Sequence, residues 1–316
     1  MDSKNIEIHF APLQGYTDYI YRNLHYEYFG AIDNYYTPFI RLEKNTFRTK
    51  DLRDIEPIHN LAPVTPQLIA ATPFEFLKVS ECLAEKGYEN IDINLGCPHS
   101  PMAARHKGAV LLAHPSELLR LLKTVEQIPH IRFSLKLRLG WDDPDDTLRL
   151  ISFFEHFPFH HITIHARTAK QQYKGHPDEN AFTRIYDSTT LPLFYNGDIT
   201  TIEDIARLIA RYPRLQGVMI GRGLLANPLL AYEYKKKTIT PIHVKREKYY
   251  DHHRQMYARY AELFGETPQL LLRLKEIWQY HLSHTDKKLR KHIFKSRNLI
   301  DYNKAVERLI MFSDTL

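Results

Sequence analysis

With 316 residues, 43% hydrophobic and 25% charged, the chain can bury a full-sized core and allows one large soluble domain or a large one with a small companion. No stretch approaches the ~20 apolar residues that span a bilayer, the opening MDSKNIEIHFAPL carries no export signal, which makes the cytoplasm the expected compartment, and two cysteines, Cys82 and Cys97, supply neither a disulfide framework nor a structural zinc. The net charge of +6 is uneven: residues 235–316 hold 18 Lys and Arg against 9 Asp and Glu, a balance of +9, and residues 1–234 carry −3, so the tail is either a grip for a polyanion or a solvated helical face.

In chain order, apolar β-rich runs occur at 6–13, 31–40, 63–70, 90–96, 132–140, 160–167, 191–198 and 217–223. Between most of them lie helical patterns with apolar residues three or four apart and a Pro, Asp or Thr near the start: PFEFLKVSECLAEKG, PSELLRLLKTVEQI, DDTLRLISFFEHF and TIEDIARLIARY. Eight such alternations predict a parallel (β/α)8 TIM barrel over residues 1–240. Residues 41–60 break the rhythm and predict an irregular excursion. Past NPLLAYEYKKK the strand signal stops, and Tyr249–Phe264, Gln269–Ser283 and Asp301–Met311 predict a small all-α domain over residues 241–316.

A parallel barrel builds its active site at the C-terminal strand ends. Polar residues gather there: Gln14 after the first strand, Gln67 in the third, Asn94 in the fourth, Lys136 in the fifth, His165 and Arg167 in the sixth, Asn196 and Asp198 in the seventh, and Arg222 in the eighth. Any one of them alone is more often a satisfied structural residue; seven strand ends converging weigh against that. Gly197, Gly221 and Gly223, in YNGD and MIGRG, let backbone N–H groups approach an anion where barrels commonly bind phosphate. Lys136 suits an anionic ring or enolate, and Gln67 donates and accepts as a flavin or pyrimidine edge requires. Together these suggest a phosphorylated flavin.

The ordered set APLQGYTD, PQL, DINLGCP followed by KGAVLL, SLKLRLGWDD, TIHART with QQYKG, NGDI and GVMIGRG, over residues 10–228, resembles the tRNA-dihydrouridine synthases. Two positions depart from the family pattern: Leu13 and Gln14 stand in the first motif, and Lys107-Gly108 stands where a glycine pair is usual. The resemblance implies FMN held by Pro12, Leu13, Gln14, Gln67, Lys136, His165, Asn196, Gly197, Asp198, Gly221 and Arg222, reduced by NADPH. It also implies hydride transfer to C6 of a uracil and Cys97 as proton donor to C5. Gly-Cys-Pro presents that thiol in a turn, and a reference pKa of ~8.5 leaves it mostly protonated at neutral pH. Asn94 and Arg167 are the expected substrate contacts.

A uracil stacked in tRNA must be flipped out to reach a barrel mouth, so the phosphates around it need a separate grip. KKLRKHIFKSR offers Lys287, Lys288, Arg290 and Lys291 for that role. His252, His253, His281 and His284 lack a carboxylate or cysteine to complete a ligand set, which predicts no metal; a monomer is expected. Three other readings stay open. An FMN barrel acting on a free pyrimidine, of dihydroorotate or dihydropyrimidine dehydrogenase type, would not bind tRNA. A lyase or isomerase using Lys136 as a Schiff base would be colourless. A non-catalytic tRNA-binding protein would fail to reduce uridine.

Overall fold

The computed structural model describes residues 6–313 and 316. Its parallel strands are Glu7–Phe10, Asn34–Tyr36, Val64–Thr65 with Gln67–Leu68, Asn90–Leu95, Arg132–Arg138, Phe159–His165, Leu193–Asn196 and Gly217–Ile220. Each coincides with one of the eight expected runs, the sixth starting one residue earlier at Phe159. They close on themselves at the third strand, which Pro66 divides. Val64 and Thr65 pair with Tyr35 and Tyr36, whereas Gln67 and Leu68 pair with Asp92 and Ile93. Proline has no N–H to give a ladder, so the break lies there; its carbonyl still accepts from Asp92 N at 2.9 Å. The fold is a (β/α)8 barrel followed by helices.

Strand parity sorts the side chains. In Asn90–Leu95 the apolar Ile91, Ile93 and Leu95 face the surrounding helices and are at most 1% exposed, while Asp92 and Asn94 alternate with them into the barrel. Ser134, Lys136 and Arg138 follow the same alternation in the next strand, with Asp92 opposite Ser134 and Asn94 opposite Lys136. The helices start where their caps dictate: Thr72 Oγ1 accepts from Glu75 N ahead of Pro73–Glu85, and Thr201 and Asp204 form a reciprocal capping box ahead of Ile202–Arg211. The excursion after the second strand is a two-stranded ribbon, Leu42–Glu43 with Thr46–Phe47, then the short helix Thr49–Asp54.

The tail is helical, with two boundary differences. The first long helix begins at Ile242, directly after Pro241, and so runs 23 residues to Phe264. The next, Pro268–Ile277, stops short of Ser283 and gives way to turns over 278–284, where Leu282 takes a left-handed φ of 47° and donates its N–H to Leu225 O of the barrel at 3.2 Å. Lys287–Lys295 and Leu299–Phe312 complete the set. No helix among the described residues is long and apolar enough to cross a membrane.

Polar anchors fix this tail to the barrel rim. Asp18, which caps the helix Tyr19–Tyr28 by accepting from Tyr21 N, also accepts from Arg273 Nη2 at 2.7 Å and Tyr260 Oη at 2.8 Å. Tyr16 Oη donates to Gln279 Oε1 at 2.7 Å. Behind them His25, His252 and His281 pack among Tyr21, Phe29 and Trp278. Burial holds all three rings well below the ordinary histidine range, so they are neutral and pack as part of the aromatic core.

Candidate active site

The C-terminal strand ends enclose a cavity of about 460 Å³. Pro12, Leu13, Gln14, Gln67, Asn94, Cys97, Lys136, His165, Asn196, Gly197, Asp198, Gly221 and Arg222 all line it. Thirteen residues spread over more than two hundred positions thus reach one space, as strand-end geometry demands.

Cys97 sits at the end of the fourth strand on an Asx turn: Asn94 Oδ1 accepts from Gly96 N at 3.1 Å and from Cys97 N at 2.9 Å. The KGAVLL segment folds beneath it, with Ala109 N donating to Cys97 O at 3.1 Å. Gly108, at φ +75°, lies so close that a Cβ would meet Cys97 O at 2.9 Å and Cys97 Cβ at 3.0 Å. Lys107, in place of the family's first glycine, turns away and pairs with Glu75 at 2.7 Å. Position 107 has an ordinary extended backbone that needs no glycine, whereas position 108 requires one. Burial raises the thiol above its ordinary pKa, outweighing a hydrogen bond from the His99 N–H and the nearby cations, so Cys97 carries its proton at neutral pH.

Lys136 reaches the cavity half-buried and donates to Asn196 Oδ1 at 3.2 Å. Burial, and then the Arg138 charge, pulls it down to about 8, so it remains mostly cationic at neutral pH. Burial and the surrounding cations Arg138, Lys136, Arg167 and Arg222 hold His165 neutral. Arg167 Nη1 lies 3.4 Å from His165 Nε2, and because guanidinium can only donate, that nitrogen accepts and the ring proton sits on Nδ1.

On the opposite wall, Asn196 Nδ2 donates to Met219 O at 2.8 Å, tying the seventh strand to the eighth. A Cβ on Gly223 would sit 2.0 Å from Ile199 O, so the tight approach of the two strand-end loops requires glycine there. Asp198 accepts from Arg167 through both oxygens, at 3.0 and 2.5 Å, and from Arg222 Nη2 at 2.8 Å. Burial raises its carboxyl, but the Arg167 hydrogen bond and both guanidinium charges outweigh that and leave it lowered.

Two expected contacts are placed elsewhere. Arg167 is 1% exposed and does not line the cavity. It clamps Asp198 and donates to Gly175 O at 2.6 Å, holding the 168–177 loop. Arg290 also departs from expectation. It is 8% exposed and donates to His281 O and Leu282 O, both at 2.7 Å, and to Trp278 O at 2.5 Å. A guanidinium closing three carbonyls of the preceding turn is a structural staple. Its neighbours Lys287, Lys288 and Lys291 are exposed.

Sequence reasoning missed several lining residues. Arg138 donates to Gly96 O at 2.9 Å and to Thr168 O and Gln172 O at 2.9 and 2.8 Å, bracing the Cys97 turn against the sixth-strand loop. Its parity with Lys136 was the available signal. Tyr173 lies over Arg222 at 4.3 Å, and Tyr280 and Ser283 bring the helical tail to the rim.

Residues 9–312 match the family model described as dihydrouridine synthase. The tRNA-dihydrouridine(16) synthase of Pseudomonas putida is 30% identical over 72% of this chain and 73% of its own. The tRNA-dihydrouridine(16) synthase of Neisseria meningitidis is 30% identical over 72% and 70%, and tRNA-dihydrouridine synthase B of Pasteurella multocida 28% over 71% and 67%. Among solved structures, a variant of NCR from Zymomonas mobilis aligns over 74% of this chain and 88% of its own, with TM-score 0.51 and 12% identity. A morphinone reductase mutant in complex with tetrahydroNAD aligns over 74% and 87%, with TM-score 0.51 and 11% identity. At such identities these two likenesses concern the fold alone.

Proposed function

The chain belongs to the dihydrouridine synthase family, a flavin-dependent class acting on tRNA, and from that premise we propose that it uses FMN and NADPH to reduce the C5–C6 double bond of tRNA uridine, with Cys97 as proton donor. The observation that carries this reading is the presence of a protonated thiol, a cationic amine and a glycine-lined, arginine-flanked strand-end wall around one cavity.

The donor set fits FMN. Gly197, Asp198, Gly221 and Arg222 lie where backbone N–H groups and a guanidinium would hold its phosphate. Lys136 supplies a cation for the ring's anionic reduced form, and Gln67 and His165 supply polar edges. Pro12, Leu13 and Gln14 bound the cavity from the first strand. When bound, the flavin supplies the hydride that adds to uracil C6, and NADPH restores it.

The chain's own work is positioning and proton supply. As C6 gains hydride, the electron pair of the double bond develops at C5 and takes the proton from Cys97 Sγ, leaving a thiolate that solvent reprotonates. The raised thiol pKa keeps the proton in place before transfer, and the Asx turn and Gly108 fix where it is delivered. Asn94, Arg138 and Tyr173 line the same space and would face the flipped base. Lys287, Lys288 and Lys291, exposed on the tail, would meet tRNA phosphates. Incubating the purified protein with FMN, NADPH and unmodified tRNA tests the proposal: dihydrouridine in tRNA supports it, whereas turnover of free uracil or orotate with untouched tRNA overturns it.

A further inference from the structure

Beneath the cavity lies a buried carboxylate to which the proposed chemistry assigns no task. Asp92 is 0% exposed and accepts from Ser134 Oγ at 2.6 Å through one oxygen and from Gln67 Nε2 at 2.6 Å through the other. Gln67 is also 0% exposed, and its Oε1 accepts from Asn94 Nδ2 at 2.7 Å. Asn94 Oδ1 then accepts the Gly96 and Cys97 N–H groups. The links form one unbroken chain from Asp92 to the backbone N–H of Cys97.

The direction of every link is fixed from its ends. Backbone N–H groups can only donate, so Asn94 must present its oxygen to the Cys97 turn and its nitrogen to Gln67. Gln67 must then offer oxygen to Asn94, which leaves its nitrogen pointing at residue 92, where only an acceptor satisfies it. We propose that Asp92 is a positioning residue: by accepting from Gln67 it sets the amide orientations of Gln67 and Asn94, and through them the turn that presents Cys97. Lys136 donates its ammonium hydrogen bond to Asn196 and acts on the Asp92 carboxyl through its charge alone, so the acceptor work of Asp92 is directed at Gln67 and Ser134. Burial raises the Asp92 carboxyl to about 6, so at neutral pH it is mostly ionised and both oxygens accept.

The inference rests on the reading of Cys97 as proton donor, and two substitutions of similar branched shape separate a directing acceptor from a space-filler. Asp92→Asn keeps an oxygen for Gln67 while its nitrogen turns to Ser134 Oγ. Asp92→Leu keeps the branched shape and removes the acceptor. Hydrogen exchange of the peptide containing Gly96 and Cys97 is expected to stay within about twofold of wild type in Asp92→Asn and to quicken about tenfold in Asp92→Leu, as loss of one ordinary hydrogen bond implies. Transfer to tRNA uridine should fall in kcat in the leucine variant with KM for tRNA unchanged, because Asp92 touches no tRNA. Equal exchange in the two variants overturns the proposal. If Asp92→Leu does not fold, Gln67→Leu cuts the chain one link later and carries the same exchange expectation; unchanged protection there also overturns it. An inactive Cys97→Ala beside a protected turn in Asp92→Leu defeats the relay alone, and a loosened turn beside a fully active Cys97→Ala defeats the proton-donor reading alone.

Discussion

Gly108→Ala is a sharp test of how the Cys97 thiol is held. The left-handed φ of +75° costs an alanine about 1 kcal/mol wherever it occurs. Gly87, at φ +86° with nothing within 4 Å of its would-be Cβ, shares that penalty and nothing else, so Gly87→Ala is the matched control. At position 108 the new Cβ meets Cys97 O at 2.9 Å, against 3.4 Å or more for ordinary contact, and Ile69 Cδ1 at 3.3 Å on the other side. The Cys97 backbone must give way. A misplacement of about 1 Å costs about a hundredfold in rate, so a shift of half that size should slow proton delivery about tenfold. Gly87→Ala should lose about 1 kcal/mol in denaturant melts and Gly108→Ala more, because its clash adds to the same backbone penalty, and NADPH should reduce the flavin normally in both. Only Gly108→Ala should slow reoxidation of reduced flavin by tRNA, followed in stopped flow. Wild-type reoxidation in Gly108→Ala, or equal slowing in the Gly87 control, would refute the steric account.

Other expectations follow from the same geometry. Lys136 is cationic below about 8 and neutral above, so affinity for reduced flavin should be level at lower pH and weaken on the alkaline side; Lys136→Met should bind reduced flavin weakly at every pH, and a wild-type anaerobic titration with reduced flavin that stays flat across that range contradicts the placement. Replacing Lys287, Lys288 and Lys291 together by Ala should make the salt dependence of tRNA binding shallower by about 0.7 to 0.9 log units per lost contact. Arg290→Ala should instead leave the salt slope unchanged and cost the fold about 2 kcal/mol in a denaturant melt, because buried carbonyls lose their donor.

Much of this was legible because a barrel imposes two regularities on its sequence. Each strand run ends where a loop must begin, which put Cys97, Lys136, His165 and Asn196 at one rim before any contact was known. The polar residues missed are those whose role depends on parity rather than on position. Arg138 shares the inward face of its strand with Lys136 but stands next to Leu139-Gly140 and reads as part of the turn. Asp92 lies one layer deeper than Asn94, inside what reads as a plain apolar strand. Arg290 reads as part of a basic run, although its three-residue spacing from buried Ile293 puts it on the inner face of the helix. Tyr173, Tyr280 and Ser283 reach the rim through loop and tail packing that local pattern does not encode.

The central claim, that this cavity reduces tRNA uridine with Cys97 as the acid, is tested most directly by a single-turnover comparison of wild type and Cys97→Ala, each reduced beforehand by NADPH and then mixed with unmodified tRNA. Both should accept electrons from NADPH at similar rates, the wild type should form dihydrouridine as its flavin reoxidises, and the alanine variant should do so ~10²- to 10⁴-fold more slowly, the usual loss on removing a general acid. Equal rates with tRNA in the two proteins would contradict the account.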